Sequence, residues 1–294
     1  MENSTINTTY SAQLLRKPYR SITTGKDREY LLYLPAGYGA DENRLWPLML
    51  FLHGGGERGD GLDDLDYVLV HGPLHEAWIR RRDLPFIIIG PQLPLFDQEF
   101  QIQMRAGVPK PMRGIPGAPP PKAEERPLTP MARAADPTPS TKGATEGFGE
   151  HGIPGGWHLC DTELMAMIDE VLDEYHADPD RVYLTGLSYG GYGSFTLAAA
   201  HPERWAAVAP ICGDANAKIA RKLAAVQMPL WIFQGGRDPV VKAHWIYDVA
   251  NALEQAGHRS VRLTIHEDLG HDAWTRAYAG QDLYDWLLSQ RRGE

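Results

Sequence analysis

The pentapeptide Gly186-Leu187-Ser188-Tyr189-Gly190 brackets a serine with glycines directly after the apolar run Val182-Tyr183-Leu184. A serine hydroxyl is a weak nucleophile until a base takes its proton and a carboxylate orients that base. A reactive Ser188 therefore requires both groups elsewhere in the chain. Asp238 lies in Gln234-Gly235-Gly236-Arg237-Asp238-Pro239, just past the apolar run 229–233, and His271 follows the run 261–266 in Glu267-Asp268-Leu269-Gly270-His271-Asp272. Serine, then aspartate, then histidine is the chain order that goes with a serine on a sharp strand-to-helix turn. The bracketing glycines fit such a turn, where the serine backbone is strained and side chains would collide with the neighbouring strand and helix. His266 is a rival base, but by alternation it lies within the strand. Asp268 and Asp272 do not end the preceding strand. A glycine-rich turn with an incidental serine is the plainer reading, and it gives no reason for all three groups to fall in this order on these elements.

Acyl chemistry at Ser188 also needs donors for a developing oxyanion. Phe51-Leu52-His53-Gly54-Gly55-Gly56-Glu57-Arg58-Gly59 follows another apolar run, and glycines there let backbone N–H groups face the oxygen. The expected donors are the N–H of Tyr189 and one from Gly55 or Gly56. A phosphate-cradling loop is the competing reading, but no Gly-Lys-Ser/Thr follows and no Gly-x-Gly-x-x-Gly opens a helix. His53 is read as a brace for the loop. No metal site is expected, since the eleven histidines are scattered and no His-Glu-x-x-His or paired cysteines occur. His71 and His75, four apart, are read as a solvated helix face; His151 and His158 sit in a glycine-rich loop and point to nothing. Trp157, in Gly155-Gly156-Trp157, either lines an acyl or aromatic pocket or packs in the core.

These groups need a scaffold. Short apolar segments at 28–35, 47–52, 85–89, 182–186, 206–211, 229–233 and 261–266 read as buried strands. Helical spacing appears at 162–176, 190–200, 242–256 and 273–289. Apolar strands alternating with helices predict a mostly parallel sheet covered on both faces. Aspartate and histidine past the carboxyl ends of such strands stand where functional groups collect in open α/β sheets. One stretch breaks the pattern: residues 107–139 hold ten of the 23 prolines, and over 101–145 seven Lys/Arg face three Asp/Glu. Such a segment builds neither helix nor sheet. It is expected as a Pro/Gly-rich insertion, 95–156, in a single 294-residue domain with an N-terminal extension over 1–25, and as either a lid or a disordered loop.

Composition narrows the partners. A net charge of −9 disfavours nucleic acid, whose phosphates require a basic surface. No apolar run reaches the roughly 20 residues of a membrane span. The polar start MENSTINTTY lacks a secretory pattern, and Cys160 and Cys212 suit a reducing compartment as buried free thiols. A cytoplasmic protein is expected.

The motifs LYLPAGY, LFLHGGGERGD, IIIGPQ, DPDRVYLTGLSYGGYGSF, HPERWAAVAPICG, GGRDPVV and LGHDAW together resemble the α/β-hydrolase superfamily. Within it they resemble the carboxylesterase and feruloyl-esterase-like branch often labelled predicted peptidase. The resemblance runs from about residue 28 to 289 and departs from the family's pattern in the Pro-rich stretch. It implies Ser188, Asp238 and His271 as a triad, Gly55 and Tyr189 as oxyanion donors, and Gln92 and Trp157 as residues flanking the site. The expected activity is cofactor-free hydrolysis of a small-molecule ester, short-chain or aromatic. A prolyl-oligopeptidase-like serine peptidase, a cofactor-free lyase and a non-catalytic binding protein on the same fold are the alternatives.

Overall fold

The computed structural model describes residues 10–96, 148 and 152–293; most of the 95–156 insertion lies outside them. The described residues form an eight-stranded sheet of β1 (Gln13–Arg20), β2 (Asp27–Leu34), β3 (Trp46–Leu52), β4 (Ile87–Gly90), β5 (Ala177–Leu187), β6 (Ala207–Ile211), β7 (Leu230–Gly235) and β8 (Val261–His266). Its order is β1-β2-β4-β3-β5-β6-β7-β8. β2 runs antiparallel to both β1 and β4, and the remaining pairs are parallel.

Strand β3 shows why the sheet is buried on both faces. Leu48, Leu50 and Leu52 pack into one core while Met49 and Phe51 pack into the other, as the two-residue period of a strand requires. Burying each such side chain contributes about 1.5–3 kcal/mol. The first core is covered by α2 (Asp161–Glu174), α3 (Tyr189–Ala200), α4 (Ala217–Ala225) and α5 (Ala243–Gln255). The second is covered by the short α1 (Gly72–Leu74), with α6 (Trp274–Ala279) and α7 (Asp282–Leu288). Helix α2 turns Leu164, Ile168 and Val171 inward, four and three residues apart on one helical face.

Three elements differ from the sequence expectation. Gln13–Arg20, inside the stretch expected as an extension, is a strand. It carries Pro18 and two adjacent cations, and as an edge strand it tolerates both, since its outer side donates to no ladder. Arg16 there meets Glu29 at 2.9 Å and Asp66 at 2.7 Å. The segment 273–289 is two helices, broken at Gly280, whose extended backbone ends α6. Helix α4, unmarked by its sequence, starts at Asn216, whose side chain accepts from Ile219 N–H at 2.9 Å.

Candidate active site

Strand β5 ends at Leu187 and α3 begins at Tyr189, so Ser188 alone makes the corner. Its backbone stands at φ 52, ψ −115, a region that costs an L-residue energy unless its surroundings impose it. Two bonds do so: Ser188 N–H donates to Ile211 O at 2.9 Å, and Tyr192 N–H donates to Ser188 O at 3.1 Å. The glycines are needed for proximity. A Cβ on Gly190 would lie 1.8 Å from Leu52 O, and one on Gly186 would lie 2.4 Å from Gly190 O.

The structure brings Ser188, His271 and Asp238 together. Ser188 Oγ lies 2.9 Å from His271 Nε2, and His271 Nδ1 lies 2.7 Å from Asp238 Oδ2. Asp238 is buried and ringed by donors: Gln234 Nε2 reaches Oδ2 at 3.0 Å, and the N–H groups of Val240 and Val241 reach Oδ1 at 2.8 and 2.9 Å. With Nδ1–H donating to the carboxylate, Nε2 is left as an acceptor for the serine proton. Trp274 stands edge-on to His271, ring centres 5.1 Å apart at 83°. Cys212, in the left-handed region at φ 49, ends β6 beside the carboxylate. Burial first, and Asp238 next, push its thiol well up. Among the described residues, Cys212, Asp238 and His271 are the one trio offering possible metal-ligand atoms within 4.8 Å of one another. The carboxylate and imidazole of that trio already engage each other.

The glycine loop is held from outside by side chains. Trp157 Nε1–H donates to His53 O at 3.2 Å, His53 Nδ1–H to Gly54 O at 2.7 Å, and Arg58 Nε–H to Gly55 O at 3.0 Å. The tautomer of His53 follows from its other nitrogen, which accepts Leu93 N–H at 2.9 Å. In a trans peptide the C=O and the following N–H point in opposite directions, so three pinned carbonyls orient the N–H groups of Gly54, Gly55 and Gly56. The loop lies against the corner: a Cβ on Gly54 would be 3.5 Å from Ser188 Cβ, and one on Gly55 would be 3.0 Å from the Tyr189 ring. Tyr189 opens α3, where helical N–H groups lack partners within the helix.

Gln92 and Trp157 sit beneath this loop, each only 1% exposed. Gln92 accepts Gly61 N–H at 2.8 Å and donates to Glu57 O at 2.8 Å and Asp64 O at 2.6 Å. Both residues shape the site from below. Of the two readings of Trp157, packing is the one that fits its burial. His71 and His75 do not share a solvated face: His71 precedes α1 with its ring 5.6 Å from Trp274, and His75 Nδ1 meets Leu69 O at 3.0 Å.

Sequence reasoning passed over Glu57, Gln234, Cys212 and Trp274 as site residues. Glu57 is the most unusual of them. Burial pushes its carboxyl up to about 7, offset only in part by its own N–H and that of Gly54. Its Oε1 lies 3.7 Å from His71 Nε2, its Oε2 lies 3.8 Å from His53 Nδ1, and Oε2 is buried without a hydrogen-bond partner. A glutamate inside a glycine-rich turn and a glutamine ending an apolar strand were the available signals.

The model of the prolyl oligopeptidase family matches residues 159–218, the stretch that carries Ser188. A protein named as an esterase, NocK, of Nocardia uniformis subsp. tsuyamanensis is 35% identical over 75 residues, 26% of this chain and 22% of that protein. The chain thus spans about a fifth of that relative's length. Among solved structures, a thermostable esterase superposes with a TM-score of 0.61 at 23% identity, covering 95% of this chain and 63% of that one. A ferulic acid esterase of Anaeromyces mucronatus, solved with ferulic acid, superposes with a TM-score of 0.56 at 16% identity, covering 99% and 93%. The chain has the α/β-hydrolase fold, with its sheet order and the corner at Ser188 in keeping with it. No described helix is long and apolar enough to cross a membrane.

Proposed function

We propose that the chain is a serine hydrolase of carboxylic esters, short-chain or aromatic, working through an acyl-enzyme on Ser188. The observation that carries this reading is the continuous line Ser188 Oγ, His271 Nε2, His271 Nδ1, Asp238 Oδ2, with contacts of 2.9 and 2.7 Å. Ser188 Oγ attacks the ester carbonyl while His271 Nε2 takes its proton, and Asp238 stabilises the imidazolium. The tetrahedral oxyanion is received by the N–H groups of Tyr189 and of Gly55 or Gly56, each such donor being worth roughly 10²–10³ in rate. His271 gives its proton to the leaving alcohol and then draws one from water, whose oxygen attacks the acyl carbonyl; as the acyl–Oγ bond breaks, His271 returns that proton to Ser188 Oγ and the acid leaves. A small-molecule ester is the partner, no cofactor takes part, and two buried free thiols favour a reducing, cytoplasmic setting.

Amide cleavage is the second reading, favoured by the prolyl oligopeptidase match over 159–218. A panel of p-nitrophenyl and hydroxycinnamate esters with one peptide p-nitroanilide, assayed with the wild type and Ser188→Ala, separates the two. Ester cleavage lost in the variant supports the esterase. Amide cleavage without ester cleavage supports the peptidase, and activity that survives the substitution removes Ser188 from either scheme.

A further inference from the structure

Within the run Val182–Leu187 that leads to Ser188, a threonine interrupts the apolar residues. Thr185 is fully buried, and by strand alternation it faces the same core as Tyr183 and Leu187. A buried hydroxyl needs partners for its proton and for its lone pairs. Thr185 Oγ1 gives its proton to Ala209 O on β6 at 2.7 Å. With that proton committed, the second contact, 3.0 Å to Tyr278 Oη, has the tyrosine as donor. Tyr278 is itself buried, near the end of α6, its ring edge-on to Phe51 of β3 with centres 5.9 Å apart. Helix α6 follows directly on the loop that carries His271, and that loop has two flanks. On the N-terminal side, Gly236 N–H donates to His266 O, Arg237 N–H to Leu269 O and Arg237 Nε–H to Glu267 O, each at 2.9 Å. These bonds lay residues 266–269 on the turn that carries Asp238. On the C-terminal side, Thr275 Oγ1 donates to Asp272 O at 2.8 Å and Ala277 N–H to Ala273 O at 3.1 Å. Arg276 reaches back to Asp268 with bonds of 2.7 and 2.6 Å, so helix and loop form one unit. The bond from Tyr278 to Thr185 ties this unit to the strand that carries Ser188.

We propose that Tyr278 is a positioning residue: its bond to Thr185 sets the reach of His271 toward Ser188, while the turn after β7 sets the reach of His271 toward Asp238. The inference rests on the serine-hydrolase reading above. Proton transfer needs its heavy atoms within about 2.6–3.2 Å. Ser188 Oγ stands 2.9 Å from His271 Nε2, so a small displacement of α6 against β5 takes the pair out of range. Arg82 and Tyr284 also hold the end of α6, donating to Tyr278 O at 2.8 and 2.9 Å. They do so from the segment before β4 and from α7, neither of which carries Ser188, His271 or Asp238. Without the Tyr278 hydroxyl the helix therefore keeps its place in the core and loses its tie to the serine's strand. His271 would keep Asp238, since the bonds on its N-terminal flank are untouched.

The test is the second-order rate at which a fluorophosphonate labels Ser188 in the wild type, Tyr278→Phe, Thr185→Val and the double variant. Thermal melts and the far-downfield proton resonance of His271 Nδ1–H accompany each protein. Labelling reports attack by Ser188 with His271 as its base and needs no deacylation. Tyr278→Phe keeps the ring and should label about tenfold or more slowly, with the downfield resonance retained. Thr185→Val should do the same, and Thr185→Ser, which keeps the hydroxyl, should restore the rate. Because both substitutions break one bond, the double variant should be no slower than the slower single. Thr185→Val decides the matter if Tyr278→Phe does not fold. A melting temperature that falls while labelling keeps its wild-type rate makes the bond purely structural and overturns this inference alone. So does a double variant whose losses multiply, or a resonance that disappears with the rate. A wild type that does not label at Ser188 overturns the serine-hydrolase reading and this inference with it.

Discussion

Gln234 donates its side-chain amide to Asp238 Oδ2 at 3.0 Å, the same oxygen that His271 Nδ1 meets at 2.7 Å. A second bond, to Val241 O at 2.7 Å, fixes that amide. Among the described residues, the N–H donors within hydrogen-bond distance of Asp238 come from β7, from the turn that follows it and from His271, and the carboxylate accepts from each. An amide at this position must turn its NH₂ either toward His271 or toward the N–H groups of Val240 and Val241. Asp238→Asn should accordingly fold and lose about 10⁴ in kcat by presenting the wrong tautomer of His271 to Ser188. Steady-state assay beside a melting curve checks it, and a well-folded variant with near-normal kcat would remove Asp238 from the reaction.

Gly190 leaves no room for a side chain. A methyl group there would stand 1.8 Å from a backbone carbonyl, Leu52 O, which neither a rotamer change nor a flexible neighbour relieves. Gly190→Ala should drive β3 and α3 apart and destabilise the protein by more than about 3 kcal/mol, with loss of soluble yield and of esterase activity together. Normal expression with a wild-type melting temperature would count against so close an approach. By contrast Gly56, with open space around it, should accept alanine with little change in stability.

The same local logic marks where sequence was sufficient and where it was not. Strands β3 and β5 and the corner between β5 and α3 were legible because continuous apolar runs and bracketing glycines are local signals. Ser188, Asp238 and His271 could be singled out because each follows such a run, and the structure brings them within hydrogen-bond reach. Strand β1 was illegible: Arg16, Lys17 and Pro18 interrupt its alternation, and only pairing with β2 makes it a strand. The positions of Glu57 in a glycine-rich turn and of Gln234 at a strand end were visible, but the partners of these two and of Gln92 were beyond reach for another reason. A buried polar side chain is defined by the partners it meets in the fold, as with Gln92 and the carbonyls of Glu57 and Asp64, 35 and 28 residues away, and spacing along the chain carries no trace of them. Gly280 was a visible break signal inside 273–289 that helical periodicity masked.

Gln92 offers a stability test that leaves Ser188, His271 and Asp238 alone. Its amide satisfies Gly61 N–H, Glu57 O and Asp64 O from a buried position. Leucine is of similar size but leaves all three backbone groups without that partner. Gln92→Leu should therefore cost roughly 2–4 kcal/mol, given about 1–3 kcal/mol for each buried polar group left unmet and some rescue by water. It should also raise KM or lower kcat by loosening the loop above. Urea unfolding gives the first number, and a loss below about 0.5 kcal/mol would show that the loop does not depend on this brace.

Glu57 also makes a prediction about stability, independent of catalysis. Burial holds its folded-state carboxyl at about 7, above the ordinary glutamate value of 4.5. The folded protein thus binds this proton more tightly than the unfolded chain does. The contribution is fully present below the unfolded value, declines as pH rises from about 4.5 to 7, and is constant beyond. A shift of this size corresponds to about 3 kcal/mol of stability lost over that interval. Glu57→Gln removes the proton linkage while keeping the size of the side chain. The variant should therefore gain on the wild type by about 3 kcal/mol between pH 4 and pH 8, whatever its offset in acid. Urea midpoints measured at several pH values give the difference curve, and a gap between the two proteins that stays flat across this range would show that Glu57 ionises as an ordinary exposed carboxylate.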